Sequence, residues 1–393
     1  MIMNIATEIE RLKRAKKELF EAIVSKGGSV SPDQKLDDYA GAVNRIPSSV
    51  EGSGKYRVRF FDYDGTILKT VYTDGGAVTA PAVPEHDRLL FQEWNNDFDN
   101  ITDNLDVGAI YTTKSGASEF DFDLNAQTGL EVTIKLNVLN AGLQIDWGDG
   151  SSETITTTGV ADFSHEYASS GMRTVKIFGN WQNSDQVVRS PVLGLTSAFL
   201  CGLARINNFL VNSARSLKVC TISATGYSGA GNYTFQSTLS LRHLNVPRLM
   251  GELNFAIQPQ NMQNSGVRHV VLPSNCKKLT GAIFFQKCAN LEDIVLPNSL
   301  DEIGAGCFAD AQTGLSEITV PPLVATIGDL AFRDRYSLSR VVMRPTTPPT
   351  IAEGTFPTGG SLKEIIVPAG CGEAYKSATN WSTFADIIRE EEI

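Results

Sequence analysis

Along the C-terminal half of this chain, apolar and polar positions alternate in short bursts, and most bursts close on a proline. The clearest read Leu291-Glu-Asp-Ile294-Val-Leu296-Pro297, Leu315-Ser-Glu-Ile318-Thr-Val320-Pro321 and Leu362-Lys-Glu-Ile365-Ile-Val367-Pro368, with weaker copies at 241–247 and 267–273. Alternation of period two marks a strand with one buried face. Pro247, Pro273, Pro297, Pro321, Pro345 and Pro368 are separated by 26, 24, 24, 24 and 23 residues. A second periodicity runs through the same units: Ile303, Ile327 and Ile351 lie 24 apart, as do Phe308, Phe332 and Phe356. A unit of this length cannot bury its own apolar face, so neighbours must stack. The pattern predicts a solenoid with one β-branched residue and one ring per turn.

The start of the chain has a different period. Ile5, Ile9, Leu12, Leu19 and Ile23 follow a 4-3-7-4 spacing, a heptad seam in which Lys16 takes the remaining a position. Gly27-Gly28 ends that helix, and Leu36, Tyr39, Val43 and Ile46 continue a second short stripe. The residues 47–54, rich in Ser and Gly, read as a linker. Residues 1–50 are therefore expected to be a helical segment. Its stripe is covered within its own hairpin, by self-association, with a homotrimer among the arrangements, or by docking on another protein. The last two make Ile5, Ile9, Leu12, Leu19 and Ile23 the oligomerisation or attachment residues. Between linker and solenoid, alternation around Asp64-Gly65 predicts a hairpin with a tight two-residue turn.

Composition narrows the function classes. The chain has 393 residues, 42% of them hydrophobic, which suffices for several cores, and its net charge of −10 disfavours nucleic acid and anionic lipid. Cys201, Cys220, Cys276, Cys288, Cys307 and Cys371 include no C-x-x-C pair, which argues against zinc and against a disulfide scaffold. No metal or cofactor is expected. The opening residues mix acids and bases without an apolar stretch or cleavage site, so no secretion signal is read, and nothing reaches the length of a membrane span.

The repeat pattern L-x-x-I-x-V-P…I-G-x-x-A-F, matched best from Leu315 to Phe332, resembles the BspA-type leucine-rich repeat, from about residue 195 onward. The stretch 367–381 resembles the closing segment of such arrays, with Trp381, Phe384 and Ile387 as the cap. Residues 56–111, with Trp94, Phe98-Asp-Asn-Ile101 and Tyr111, resemble the InlB B-repeat, a spacer or adhesive β-domain. Gln144-Ile-Asp-Trp-Gly-Asp-Gly-Ser151 and His165-Glu-Tyr167…Gly171…Val175 resemble a PKD-type β-sandwich. There Asp146 and Asp149 are carboxylates suited to calcium, although a turn of this composition needs no metal. Ile9 to Leu19 and Lys35 to Tyr39 resemble the N-terminal segment of phage tail and fibre proteins. The fold expected is multidomain and mainly β: 1–50 helical, 55–115 a small β-domain, 118–180 a sandwich, and 190–393 a capped leucine-rich-repeat solenoid.

One motif points elsewhere. Asp62-Tyr-Asp64-Gly65-Thr66 resembles the D-x-D-G-T nucleophile motif of haloacid-dehalogenase phosphatases. Such an enzyme needs an αβ sandwich with a downstream Ser/Thr, Lys and acidic pair, and strands follow here instead. No catalytic residue is expected. A helical attachment segment, adhesive β modules and no leader together predict a phage structural protein, a tail or head fibre assembled in the host cytoplasm. Its partners would be other virion proteins at the N-terminus and a host cell-surface protein or glycan outside. The alternatives are a bacterial BspA-like surface adhesin and a capsid decoration protein. Gly226 to Phe235 interrupts the repeat with Gly, Ser and aromatics, a composition shared by recognition loops and irregular coils.

Overall fold

The structure, a computed structural model, describes residue 16 and residues 50–125, 128–183, 186–205, 210–223, 235–248, 262–279, 284–311, 314–357 and 360–392. Ile5, Ile9, Leu12, Leu19 and Ile23 lie outside these residues, as do residues 226–234. The expectations placed on them therefore have no structural counterpart here.

Strands β1 (Val50–Glu51), β2 (Tyr56–Phe61), β3 (Ile67–Thr73), β4 (Leu89–Trp94) and β5 (Leu105–Thr113) form one sheet in the order β1-β3-β2-β5-β4. Alternation sets its faces. Val58 and Phe60 pack with Leu68, Ile101 and Val107 in a small core, and Phe60 meets Trp94 and Phe98 edge-on. Arg57 and Arg59 point to the opposite face. The β2–β3 connection departs from the two-residue turn expected: Asp62 N–H donates to Thr66 O, so the loop spans 63–65, and Gly65 takes φ +92°. Register shifts between Phe60 and Phe61, so the loop is of the longer kind that ends in a bulge.

Strands β6 (Ser118–Leu124), β7 (Glu131–Val138), β8 (Leu143–Asp146), β9 (Ser152–Ile155), β10 (Gly159–Glu166), β11 (Gly171–Phe178), β12 (Trp181–Gln182), β13 (Val188–Ser190), β14 (Leu195–Leu200), β15 (Leu203–Arg205) and β16 (Val219–Ile222) follow. They divide between a sheet ordered β10-β7-β12-β15, with β13 also on β7, and one ordered β16-β14-β6-β11-β8-β9. Strand β14 belongs to two structures at once. It pairs antiparallel with β6 and parallel with β16, the first rung of the repeat ladder. One apolar core accordingly runs without a break from Phe120 to Ile388.

The repeats build two parallel ladders, one for each periodicity. Strands β17 (His243–Asn245) and β18 (His269–Val271) continue the first, and β19 (Lys278–Leu279) and β20 (Glu302–Ile303) start the second. Strand β21 (Glu317–Val320) pairs in parallel with β23 (Arg340–Met343), then β25 (Glu364–Pro368) and β26 (Ile388–Glu391). Strands β22 (Thr326–Ile327) and β24 (Thr350–Ile351) extend β20. Ile318, Val341, Ile365 and Ile388 stand in one buried column.

Beside that column runs a column of rings. Phe285, Phe308, Phe332 and Phe356 stack at 5.3 Å between successive centroids, the last three nearly parallel. Helix α1 (Gly372–Ser377) and the 3-10 turn Trp381–Ile387 close it, with Trp381 and Phe384 meeting Phe356 at 5.7 and 5.8 Å. Trp381 Nε1 donates to Pro349 O and Tyr375 Oη to Pro345 O, so the buried polar tips of the cap are satisfied. A chain of side-chain amides follows another edge of the coils: Asn212 donates to Gln236, Gln236 to Gln263, Gln263 to Gln286, and Gln286 to Asp310, at 2.5–2.8 Å. Among the described residues, no helix is long and apolar enough to cross a membrane.

Phe332 is fully buried in the middle of the ring column. Phe332→Ala is expected to cost about 3–5 kcal/mol from lost transfer and the cavity left behind. Hydrogen exchange should show residues 315–345 loosening together, because each coil is held by its neighbours. Unchanged protection there would place the column's energetic weight elsewhere.

Candidate binding face and the β-domain docked on it

Each repeat strand turns its apolar residues inward and leaves its third and fifth positions on the outer face of the ladder. These are Val219 and Thr221, His243 and Asn245, His269 and Val271, Asp293 and Val295, Glu317 and Thr319, Arg340 and Val342, then Glu364 and Ile366. The first of these positions are covered. Strand β5 lies across β14, β16, β17 and β18. Asn245 Nδ2 donates to Asp62 O and Ala109 O, at 3.1 and 3.0 Å. From the other side, Asn95 Nδ2 donates to Val246 O, and Asn96 Nδ2 to Leu272 O, at 2.8 and 2.9 Å. The approach is close enough that a Cβ on Gly108 would sit 2.5 Å from Asn245 Cγ. Phe61 stacks on His269 at 4.5 Å and on His243 at 5.3 Å, and shares an apolar contact with Ile67 and Val271.

Charge locks the seam. Arg59 Nε and Nη2 each donate to an Asp106 oxygen at 2.8 Å, and Nη1 reaches Asp293 Oδ2 at 2.7 Å. His269 Nε2 lies 2.9 Å from Asp106. Burial alone would raise the Asp106 carboxyl. The charge of Arg59 and the neighbouring His269 outweigh it and hold Asp106 well below the usual carboxylate range. Burial likewise opposes the charge on Arg59, and Asp106 and Asp293 more than restore it. Farther along, Arg344 Nη1 donates to Asp103 at 2.9 Å.

Asp106, His269 and Asp293 bring three ligand-type atoms within 4.8 Å of one another. They do not fit a metal ion, because the Arg59 guanidinium already occupies both oxygens of Asp106 and one of Asp293. A cation added there would face a fixed positive charge.

The residues of the phosphatase-like motif serve the fold. Asp62 is buried, accepting from Tyr111 Oη at 2.7 Å and Tyr63 N–H at 2.8 Å, with His86 Nε2 at 3.0 Å. Burial raises its pKa. Asp64 caps the turn by accepting from Thr66 N–H. In the sandwich, Asp146 accepts from Gly148 N–H, while Asp149 accepts from Ser151 and faces His165 Nε2 at 2.7 Å. Those carboxylates are spent on their own turn, and hydrogen bonds hold Asp149 below the usual carboxylate range. The cysteines are free thiols, with Cys220, Cys276, Cys288 and Cys307 buried.

Beyond the docked sheet Val342 and Ile366 are buried, while Glu317, Thr319 and Arg340 are accessible on the ladder. A cleft of about 640 Å³ lies between it and the β2–β3 edge, walled by Lys55, Arg57 and Tyr72 and floored by Thr319, Arg340 and Arg344. Arg340 stands among Glu317, Glu364 and Glu391 at 3.1, 3.0 and 3.6 Å. Geometry of this kind offers hydrogen-bonding side chains and backbone on a rigid scaffold.

Short parallel strands repeated every 23–26 residues, with a ring column behind them, define a leucine-rich-repeat solenoid. Residues 196–286 and 281–387 match the BspA type Leucine rich repeat region, in 6 copies, in agreement with that solenoid. Among solved structures, a leucine-rich repeat protein from Bacteroides ovatus ATCC 8483 is similar at 14% identity, over 63% of this chain and 75% of that one, with a TM-score of 0.30. No curated protein matches the chain. Neither comparison supports the InlB or PKD resemblances, or the virion assignment.

The sequence missed this seam. Arg59, Asn95, Asn96, Asp106, His243 and His269 carry no motif, although polar residues at the outward positions of strands β17 and β18 were its one local trace. Asp106→Ala should cost about 3–5 kcal/mol, because it leaves Arg59 buried without its main partner. Thermal and denaturant unfolding measure this; a loss under 1 kcal/mol would mean that water enters the seam. Asp62→Asn should leave phosphomonoester hydrolysis with magnesium at the blank rate, as in the parent chain. Turnover abolished by that change would reinstate the catalytic motif.

Proposed function

We propose that this chain is a non-enzymatic binding protein, a BspA-like adhesin that holds a surface-borne protein on the outer face of its strand ladder. The observation that carries this reading is the docked β-domain. The ladder face already holds one folded protein unit in cis, through Asn245, His269, Val271 and Asp293. The same face continues beyond the docked unit through Glu317, Thr319 and Arg340, beside a cleft of about 640 Å³. That volume lies within the range of ordinary ligand sites. The matched repeat family is typically a protein-interaction module, which agrees with this use. The adhesin reading fits these observations better than a virion appendage does.

The test uses the intact chain, fluorescently labelled, on panels of bacterial and animal cells with and without prior protease treatment. Saturable binding that protease removes is expected on a subset of cells. Thr319→Trp, which fills the cleft floor, should weaken it at least tenfold while leaving the thermal unfolding midpoint within a few degrees of the parent. Binding that resists protease, or that Thr319→Trp leaves unchanged, overturns the proposal.

A further inference from the structure

His243 sits in the seam without a carboxylate to receive a second proton. Asn245 fixes its state. The amide Nδ2 of Asn245 is committed to two carbonyls, Asp62 O and Ala109 O, so its Oδ1 faces the imidazole. His243 Nε2 therefore donates to Asn245 Oδ1, at 2.7 Å, and Nδ1 carries the lone pair. Nδ1 is buried and has no hydrogen-bond partner. The imidazole is held in place by its neighbours: Phe61 stacks at 5.3 Å, His269 lies parallel at 5.7 Å, and the glycine at position 65 lets the β2–β3 loop approach so closely that a Cβ there would sit 2.9 Å from His243 Cβ.

The charged or titratable groups that face His243 are His269 on β18, Asp106 on β5 and Arg59 on β2. Asp106 is already taken by Arg59 and His269, at 2.8 and 2.9 Å. A proton on His243 would thus bury a donor with no acceptor and place a charge beside His269 and Arg59.

We propose that His243 makes the β-domain an acid-released cover: a proton taken at its Nδ1 undocks residues 56–113 and exposes His243, Asn245, His269 and Val271 as additional binding face. The sign follows from the geometry. Burial first, and His269 second, lower the docked pKa of His243 to about 3, whereas an exposed imidazole titrates at 6.5. The docked state binds fewer protons, so its stability is fully present above the exposed value and is lost as pH falls from about 6.5 toward 3. At pH 5 the equilibrium shifts roughly thirtyfold toward the undocked form. Asp106 adds to the loss only below the ordinary carboxylate range.

Hydrogen exchange on the intact chain at pH 7.5 and pH 5.0, corrected for intrinsic rates, tests this. Segments 56–61, 105–113 and 243–246 should lose protection by tenfold or more at pH 5.0, while 120–124 and 341–343 keep theirs. His243→Phe retains a stacking ring without the titrating nitrogen and should keep its seam protection at pH 5.0. Imidazole NMR on the parent protein gives a second readout that does not depend on the variant folding. Protonation of His243 should coincide with loss of the seam. Three results would each overturn the proposal: parent segments still protected at pH 4.5, His243 titrating near 6.5 with the seam intact, or a folded His243→Phe that loses protection at the same pH as the parent.

Discussion

A coil of about 24 residues has an apolar edge above and below, and the whole architecture answers that one constraint. At the C-terminal end, Trp381 and Phe384 lie across the last ring of the column. At the other end the sandwich does the capping, and β14 is the means. One edge of that strand pairs with β6 of the sandwich and the other with the first ladder strand β16, so the sandwich sheet becomes the solenoid without exposing a backbone edge. The unbroken core from Phe120 to Ile388 is the packing consequence. Stacking then fixes the outer face of the ladder as a rigid, regularly spaced surface.

What docks on that surface is held by apolar and polar contacts together. The apolar part of the seam has two centres, Phe61, Ile67 and Val271 in one and Leu89, Ala109 and Tyr111 against Phe199 and Val219 in the other, while the Asn95, Asn96 and Asn245 amides and the Arg59–Asp106 pair supply direction. A buried ion pair contributes little net stability over an apolar replacement, because desolvation offsets attraction, yet it strongly penalises misalignment. The seam is therefore specific rather than deep.

Legibility in the sequence followed the range of the interactions. The proline spacing and the 24-residue series of Ile and Phe encode contacts between consecutive coils, so both ladders and the ring column were readable; Phe285, one residue off the period, was not. The turn after Phe61 was placed correctly but given two residues instead of three, because the bulge that lengthens it depends on β5 lying beside β2. The β14–β6 pairing joins segments some 75 residues apart and leaves no local pattern. The seam was illegible for the same reason, since Arg59 and Asp293 have no reason to be read together. Asp62-Tyr-Asp64-Gly65-Thr66 misleads because a buried acid, a capping acid and a positive-φ glycine are also what a tight loop requires.

The outward third positions divide the ladder by use. Val219, His243 and His269 meet the β-domain, Glu317, Arg340 and Glu364 face the cleft or solvent, and Asp293 does both. Asp293 bonds Arg59 within the seam and also lines the open cleft with Arg57, which lies 3.5 Å away. A ligand that spans the cleft must touch the wall formed by β2 and β3 as well as the ladder, so it binds the docked arrangement in preference to the undocked one. Linkage then makes the coupling reciprocal: such a ligand stabilises docking by its differential affinity, and whatever loosens the seam weakens the ligand by the same factor. Cover and cleft are in this sense one site with two components, and Asp293 is the residue through which each registers the state of the other.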